Sequence, residues 1–524
     1  MPSRRHIITV TSSISSFALF VFILVVLGLR YTARGSGADV ASPPSLPEEN
    51  NIFSGYGEAK SRCPSEAPWL NQIRIDRPFQ YARRDIILRP NRDLARKSVT
   101  KLDEALFPDF QDISEGDNHL ASSTCLEPLR LEVPAWPETY PDASHVIFGL
   151  STSMARLEDS LVYFQRWMSF TKARVIIVVT GEADIMPKHS DMRDLERRMR
   201  QMGMHVTLVR PMEEGMPMEM RYFSLVKVLM EHRDGRTEWA VFMDDDTFFP
   251  SMREFINTLN DYDASKLVYL GAISEEWWAV ARYSFMGFGG AGVLLSVPLL
   301  ELVDRHYQDC IDQSGAGAGD MRIYECIRWY SDTGLQHVNG LFQIDLHGDR
   351  SGLFESGRKI VSLHHWKEGW WDEGQLGTPR PGHATWFPMD RMNVVADVCA
   401  ECFLQRWQFG DDLVLSNGYT IATYPNGALS KFERHRGLEK VEETWIKPGV
   451  IKGANNPGWD HYLGVMRPPL ELEHEKIQYR FLDAWKVDGG VRQFYHHFGV
   501  NGSLDTVMEL FWIREENWKV GKTP

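Results

Sequence analysis

The sequence predicts an α/β protein with a Rossmann-like, mostly parallel sheet, an N-terminal transmembrane anchor before it and a small β-rich C-terminal region after it. Three observations carry that expectation. Apolar strand-like runs alternate with helical stretches from residue 145 onward, the order that builds parallel sheets. One run, Trp239-Ala-Val-Phe-Met243, ends abruptly at three carboxylates, Asp244, Asp245 and Asp246. Near the start, residues 7–29 are uncharged, long enough to cross a hydrocarbon core of about 30 Å.

The first elements set the expected compartment. Arg4, Arg5 and His6 precede the uncharged run and Arg30 ends it. Its first half carries several Ser and Thr, so two readings stay open: an uncleaved signal anchor, or a signal peptide cleaved at Ser36-Gly37-Ala38. Arg30 and Arg34, directly after the run, favour the anchor. We read residues 1–6 as a cytoplasmic tail, 7–29 as the anchor and 30–140 as a stem rich in Pro, Ser and charge. One span exports everything downstream, which gives a single-pass type II protein of the Golgi or ER membrane with a luminal body. Six cysteines, Cys63, Cys125, Cys310, Cys326, Cys399 and Cys402, suit that oxidising lumen. A bridge between Cys310 and Cys326 would brace the Gly319-Asp320 segment between them. Cys399-Ala-Glu-Cys402 lacks the second pair a zinc site needs, which leaves a structural role. Asn501-Gly-Ser503 is an N-glycosylation sequon, consistent with export.

The body follows, at residues 141–400. Residues 145–150 read as a strand, 151–153 as a turn and cap, and 156–170 as a helix with apolar residues at Leu161, Phe164 and Met168. Strands at 174–179 and 205–209 flank a charged helix at 192–202, and a helix at 220–231 leads into the Trp239 strand. Residues 401–524 change texture. Short β-runs separated by Asn417-Gly418 and Asn426-Gly427 read as hairpins. With 43% hydrophobic residues and 17 Trp, the 524-residue chain can bury a large core. A net charge of −14 argues against a nucleic-acid binder, which carries a basic footprint.

Three adjacent acids at the C-terminal end of a buried strand repel one another, and that end is where open α/β sheets bind ligands. Hard carboxylate oxygens suit Mg²⁺ or Mn²⁺, ions often shared with substrate phosphates. A solvated acidic turn is the plain alternative. The series Asp244-Asp-Asp-Thr-Phe248, Phe288-Gly-Gly-Ala-Gly-Val-Leu-Leu-Ser296, Gly319-Asp-Met-Arg-Ile-Tyr-Glu-Cys-Ile327 and Ser362-Leu-His-His365 resembles the fringe-like glycosyltransferases of family 31, which include fringe and the core 1 galactosyltransferase. The resemblance covers roughly residues 140 to 400. It implies a GT-A fold, a UDP-sugar donor, Mn²⁺ (or Mg²⁺), inversion to a β-linkage, most simply β-1,3, and a glycan or glycoprotein acceptor.

The resemblance also implies roles for particular residues. Asp246 and His364 would hold the metal, with His365 in reserve. Asp244 would face the nucleotide, and Asp245 would share donor, metal or water contacts. Alternation along an extended segment points Asp244 and Asp246 to one side. Gly289, Gly290, Ala291 and Gly292 would line the donor sugar. Asp320 would be the general base, although Gly319 stands where the family often has another acid; a helix N-cap is the structural alternative for Asp320. Glu276 and Trp277 would meet the acceptor, with Trp278, Trp366, Trp370 and Trp371 as further sugar-stacking or core residues. Gly287-Phe-Gly-Gly-Ala-Gly292 matches a dinucleotide fingerprint, but no strand precedes it and the match is coincidental. A catalytically silent, GT-A-shaped lectin or chaperone stays open beside the enzyme. A metal-dependent phosphodiesterase would call for further His or Asp ligands near Asp244, and the sequence has none there.

Overall fold

A computed structural model describes residues 64–520, apart from 74, 76, 123–124, 136–138, 276, 345–350, 365–388, 400, 428, 430–449, 453–459, 463–469, 471, 488 and 501. The anchor, Cys63 and Asn501 therefore lie outside the described residues, and among those described no helix is long and apolar enough to cross a membrane.

The body is mixed α/β. Its seven-stranded sheet runs in the order Leu335–His337, Tyr269–Gly271, Val293–Ser296, Trp239–Phe242, Val146–Ser153, Arg174–Thr180, His205–Val209. Val146–Ser153 pairs in parallel with both Trp239–Phe242 and Arg174–Thr180, and the latter in parallel with His205–Val209. Val293–Ser296 is the antiparallel insertion between Trp239–Phe242 and Tyr269–Gly271. Both faces are covered, so the central strands are apolar throughout: all four residues of Trp239–Phe242 are buried, as expected for a parallel core. The helix Met218–His232 covers one face, with Phe223, Leu225, Val226 and Leu229 fully buried.

Local boundaries shift for identifiable reasons. The helix expected over 156–170 is two, Met154–Asp159 and Leu161–Met168. Ser160 separates them, and its hydroxyl donates to the Arg156 carbonyl at 2.6 Å, a side-chain bond that competes with the helical ladder. Residues 151–153 extend the first strand, and the Ser153 side chain caps the helix that follows. The helix Trp277–Tyr283 was not foreseen. Nor was the fact that Pro425–Gly427 is a 3₁₀ turn in place of a hairpin at Asn426-Gly427.

The largest correction concerns the stem and the C-terminal region, which are one sheet. Among the described residues it has ten strands. Phe79–Asn91, assigned to the stem, pairs in parallel with Asp505–Arg514 from the C-terminus, in register from Phe79↔Asp505 to Leu88↔Arg514. Val99–Leu102 likewise pairs with Arg406–Phe409. Hydrogen bonding forces this, because a strand as apolar as Ile86-Ile87-Leu88, fully buried here, must satisfy its backbone within a sheet.

Candidate active site

Asp244, Asp245 and Asp246 follow directly on the buried Trp239 strand, where Met243 is still fully buried. A tight turn fixes them: the Thr247 amide donates to the Asp244 carbonyl at 3.2 Å, and the Asp244 amide donates to Thr247 Oγ1 at 3.1 Å. Thr247 Oγ1 in turn donates to the Gly290 carbonyl at 2.9 Å, tying the acids to the glycine loop. An antiparallel bridge between Phe248 and Leu363, with both amide–carbonyl distances 2.8 Å, carries the next residue, His364, over the acids.

His364 Nε2 lies 3.3 Å from Asp244 Oδ2 and 3.1 Å from Asp246 Oδ1. Its other nitrogen, Nδ1, donates to the Gln343 carbonyl at 3.0 Å, the outer hydrogen bond that orients metal-binding histidines. Gln343 is itself held, its Oε1 accepting from the Ala291 backbone amide and its own backbone amide donating to Glu275 Oε1, each at 2.9 Å. The ring lies flat on Gly290, where a Cβ would come within 2.2 Å of Nδ1. Burial disfavours the imidazolium, but hydrogen bonds to Asp244 and Asp246 and their charges outweigh it and hold the pKa well above its ordinary value.

Ligand atoms of Asp244, Asp246 and His364 all fall within 4.8 Å of one another. Two hard carboxylates and one imidazole, oriented from behind, fit a divalent ion of the Mn²⁺ or Mg²⁺ type. The structure thus brings together Asp246 and His364 as expected and adds Asp244 to the same cluster.

Asp245 departs from expectation. Its side chain points away from the cluster and forms a two-point pair with Arg156, 2.7 Å from Nε and 2.8 Å from Nη2, and accepts a hydrogen bond from Thr152. The strand ends at Phe242, and Asp245 and Asp246 lie in a turn, so the turn and not strand alternation directs Asp244 and Asp246 to His364 and Asp245 to Arg156. Asp245 locks the acidic turn onto the end of the first strand, a role without a local sequence signal, because Thr152 and Arg156 are some ninety positions away.

Asp320 approaches from the start of the helix Gly319–Tyr330. It is not the N-cap, a position held by Ala318. Its Oδ2 accepts from the Gly289 amide at 2.8 Å and its Oδ1 from the Met321 amide at 2.7 Å. Desolvation raises its pKa to about 6; the Gly289 bond opposes this, and the Asp244 charge adds to it. The buried Tyr222, unremarked in the sequence, lies near enough to Asp244 and Asp320 to feel both charges. A Cβ on Gly289 would lie 2.7 Å from its hydroxyl, and one on Gly319 would lie 2.6 Å from its Cβ and 2.7 Å from the Glu219 carbonyl. That crowding explains why glycine stands at 319 in place of an acid. The glycine loop is therefore shaped first by this chain's own side chains: Gly289 by Tyr222, Gly290 by His364. Gly292 needs its freedom, at φ 99°.

Cys310 and Cys326 are bonded, as expected. Cys399 and Cys402 are bonded to each other, and Cys125 also lies in a disulfide. Glu276, the Trp277 and Trp278 side chains, His365, Trp366, Trp370 and Trp371 fall outside the described residues.

Residues 280–369 match the family model described as "Protein of unknown function, DUF604", a stretch that runs from the glycine loop through His364. The chain is 25% identical over 154 residues to chondroitin sulfate synthase 3 of Mus musculus and of Homo sapiens. That stretch is 27% of this chain and spans only 17% of those relatives. This similarity supports a glycosyltransferase and reaches no further. Among solved structures, a mannosyltransferase from Pyrobaculum calidifontis in complex with GDP-Man and Mn²⁺ matches at 15% identity and a TM-score of 0.27, over 38% of this chain and 57% of that one. The glycosyltransferase GlyE of Streptococcus pneumoniae matches at 14% identity and a TM-score of 0.26, over 38% and 45%. At those scores the overlays carry no argument about this chain.

Proposed function

We propose that the chain is an inverting, Mn²⁺-dependent glycosyltransferase of GT-A, fringe-like type. It would move a hexose or N-acetylhexosamine from a UDP-sugar to a glycan or glycoprotein in the Golgi or ER lumen, with a β-linkage, most simply β-1,3. One observation carries the reading: the convergence of Asp244, Asp246 and His364 within 4.8 Å. The Asp320 carboxylate stands beside that cluster, close enough to feel the Asp244 charge.

When bound there, a divalent ion supplies charge neutralisation for a diphosphate leaving group. The remaining work falls to residues of the chain. Asp244, Asp246 and His364 hold the site, and the Gln343 carbonyl fixes the His364 ring so that Nε2 faces the carboxylates. Asp245, Arg156 and Thr152 keep the acidic turn from swinging away. Asp320, kept basic enough by burial to accept a proton near neutrality, takes it from the attacking acceptor hydroxyl. The Gly289 amide keeps its Oδ2 in place.

Calorimetry of UDP titrated into the protein with and without Mn²⁺ tests this. Wild-type protein should bind only with the metal, and Asp246→Asn and His364→Ala should each lose that binding while remaining folded. Unchanged affinity in both variants would remove the metal assignment. Donor binding without any donor hydrolysis or transfer to added sugars would favour a silent lectin or chaperone.

A further inference from the structure

Away from the acidic turn, the seam between the two sheets encloses a cleft of about 410 Å³, within the size range of small-ligand sites. Its walls include Tyr140, Arg166, Arg253, Asp397, Glu401 and Arg514. Some of these charges are committed to the fold. Arg166 pairs with Asp397 at 2.8 Å and donates to the Pro250 carbonyl at 2.9 Å, and Asp397 also takes Lys486 at 2.6 Å.

Arg253 and Glu401 are different. Among the described residues neither forms an ion pair, and Arg253 Nε has no hydrogen-bond partner. Burial holds the Glu401 carboxyl above its ordinary range, against the charges of Arg253 and Lys359, which draw it down. A cation and an anion that half-bury facing one cleft without pairing leave a gap that a ligand offering both donors and acceptors would bridge.

Of two aromatic residues here, Tyr140 lines the cleft and Phe170 packs behind it. Tyr140 and Phe170 are 63% and 57% exposed, with ring centroids 5.1 Å apart. Phe170 is held at φ 61°, a conformation unfavourable for a bulky side chain. Its amide donates to the Gly203 carbonyl at 2.9 Å, and its ring sits where a Cβ on Gly203 would fall, at 2.6 Å. Held there, the Phe170 ring backs Tyr140 from outside the cleft.

We propose that this cleft is a second carbohydrate site, one that seats a neutral pyranose of a glycan chain apart from the metal cluster. The sugar's C–H face stacks on Tyr140. Its vicinal hydroxyls accept from Arg253 and donate to Glu401. A neutral sugar answers Arg253 and Glu401 together, whereas an anionic group would answer Arg253 alone and leave Glu401 facing it.

Saturation-transfer NMR of methyl β-D-galactopyranoside and methyl β-D-glucopyranoside with the full chain tests the site by binding alone, so it stands or falls apart from the catalytic reading. At least one glycoside should bind saturably to wild type and equally to Asp246→Asn. Affinity should fall by about tenfold or more in Arg253→Gln, Glu401→Gln and Tyr140→Ala. Glu401→Gln, which removes a half-buried unpaired charge, should melt no lower than wild type. Phe170→Gly, which relieves the strained backbone, should bind the glycoside more weakly while remaining folded. Four results would each overturn the proposal: no saturable binding, binding unchanged in the cleft variants, binding lost in Asp246→Asn, or displacement of the glycoside by inorganic sulfate.

Discussion

Asp320 joins two requirements that pull in opposite directions, since a base must be ionised to work and burial resists ionisation. With its pKa raised to about 6, Asp320 should give turnover an acidic limb that climbs with pH and lies no higher than about 6. Because the Asp244 charge contributes to the rise, the limb should move lower once a cation offsets Asp244. Asp320→Asn should keep metal and donor affinity and lose about 10²–10⁴-fold in turnover; near-normal turnover would move the base elsewhere. Glu325, another acid on the same helix, is a poor alternative, since it is engaged by a hydrogen bond from Ser314 at 2.5 Å. The same shift has a stability consequence. A carboxyl whose folded pKa is raised contributes stability that is fully present below its unfolded pKa and lost as pH rises through about 6. The stability of Asp320→Asn relative to wild type should therefore be more favourable at about pH 7.5 than at about pH 4.5, by urea unfolding. Gly319 gives a second test. Alanine there gains helix propensity of up to about 1 kcal/mol, but its Cβ would meet the Glu219 carbonyl at 2.7 Å. Backbone cannot yield as a side chain can, so overpacking of about 1–3 kcal/mol should win and Gly319→Ala should be destabilised in the same assay.

Elements were legible where one local rule governed them. The Trp239 strand and its acids stood out because an apolar run met charge without a transition, and the four residues of that strand are indeed all buried. His364 could be singled out only by resemblance. Its placement depends on the Phe248–Leu363 bridge, between segments more than a hundred positions apart, which no periodicity announces. Arg156, Tyr222 and Gln343 went unnoticed for the same reason: each acts through a tertiary contact, and each belongs to a residue type common on helices and loops. The Ser160 break did have a local signal, a serine able to bond back to the carbonyl four residues earlier. The disulfide Cys310–Cys326 bears on function at this scale. It links the helices Tyr307–Gln313 and Gly319–Tyr330 across a separation of 16 residues, and closing a loop of that size contributes about 3 kcal/mol. Cys310→Ala with Cys326→Ala should lower the melting temperature and depress turnover through Asp320, while UDP–Mn²⁺ affinity, carried by other elements, changes little. An equal loss of both would mean the bridge supports the whole fold and not the base in particular.

At the scale of the molecule, the chain returns on itself. The first strand among the described residues, Phe79–Asn91, lies against the last, Asp505–Arg514, over ten register pairs, and a buried polar cluster closes the join. Glu509, fully buried, accepts from Trp69 at 2.7 Å and also from Tyr81 and Arg492. A buried carboxylate left without such partners costs several kcal/mol, so the two ends of the described chain depend on each other. Sequence reading divided them into stem and appendage because parallel pairing between distant strands leaves no mark in either one: each shows only its own apolar pattern. This predicts how truncation should behave. A chain beginning at residue 60 should fold, since it retains all six cysteines and, among the described residues, every strand of the second sheet. A chain beginning at residue 141, the expected edge of the catalytic body, would expose the backbone of Asp505–Arg514 and leave Glu509 without Trp69 and Tyr81. It should lack a cooperative thermal transition in the second sheet and be cut by protease between residues 401 and 524, where the longer chain resists. If the shorter chain instead melts cooperatively at the same temperature, Phe79–Asn91 is dispensable and the joining of the ends is not what holds the second sheet together.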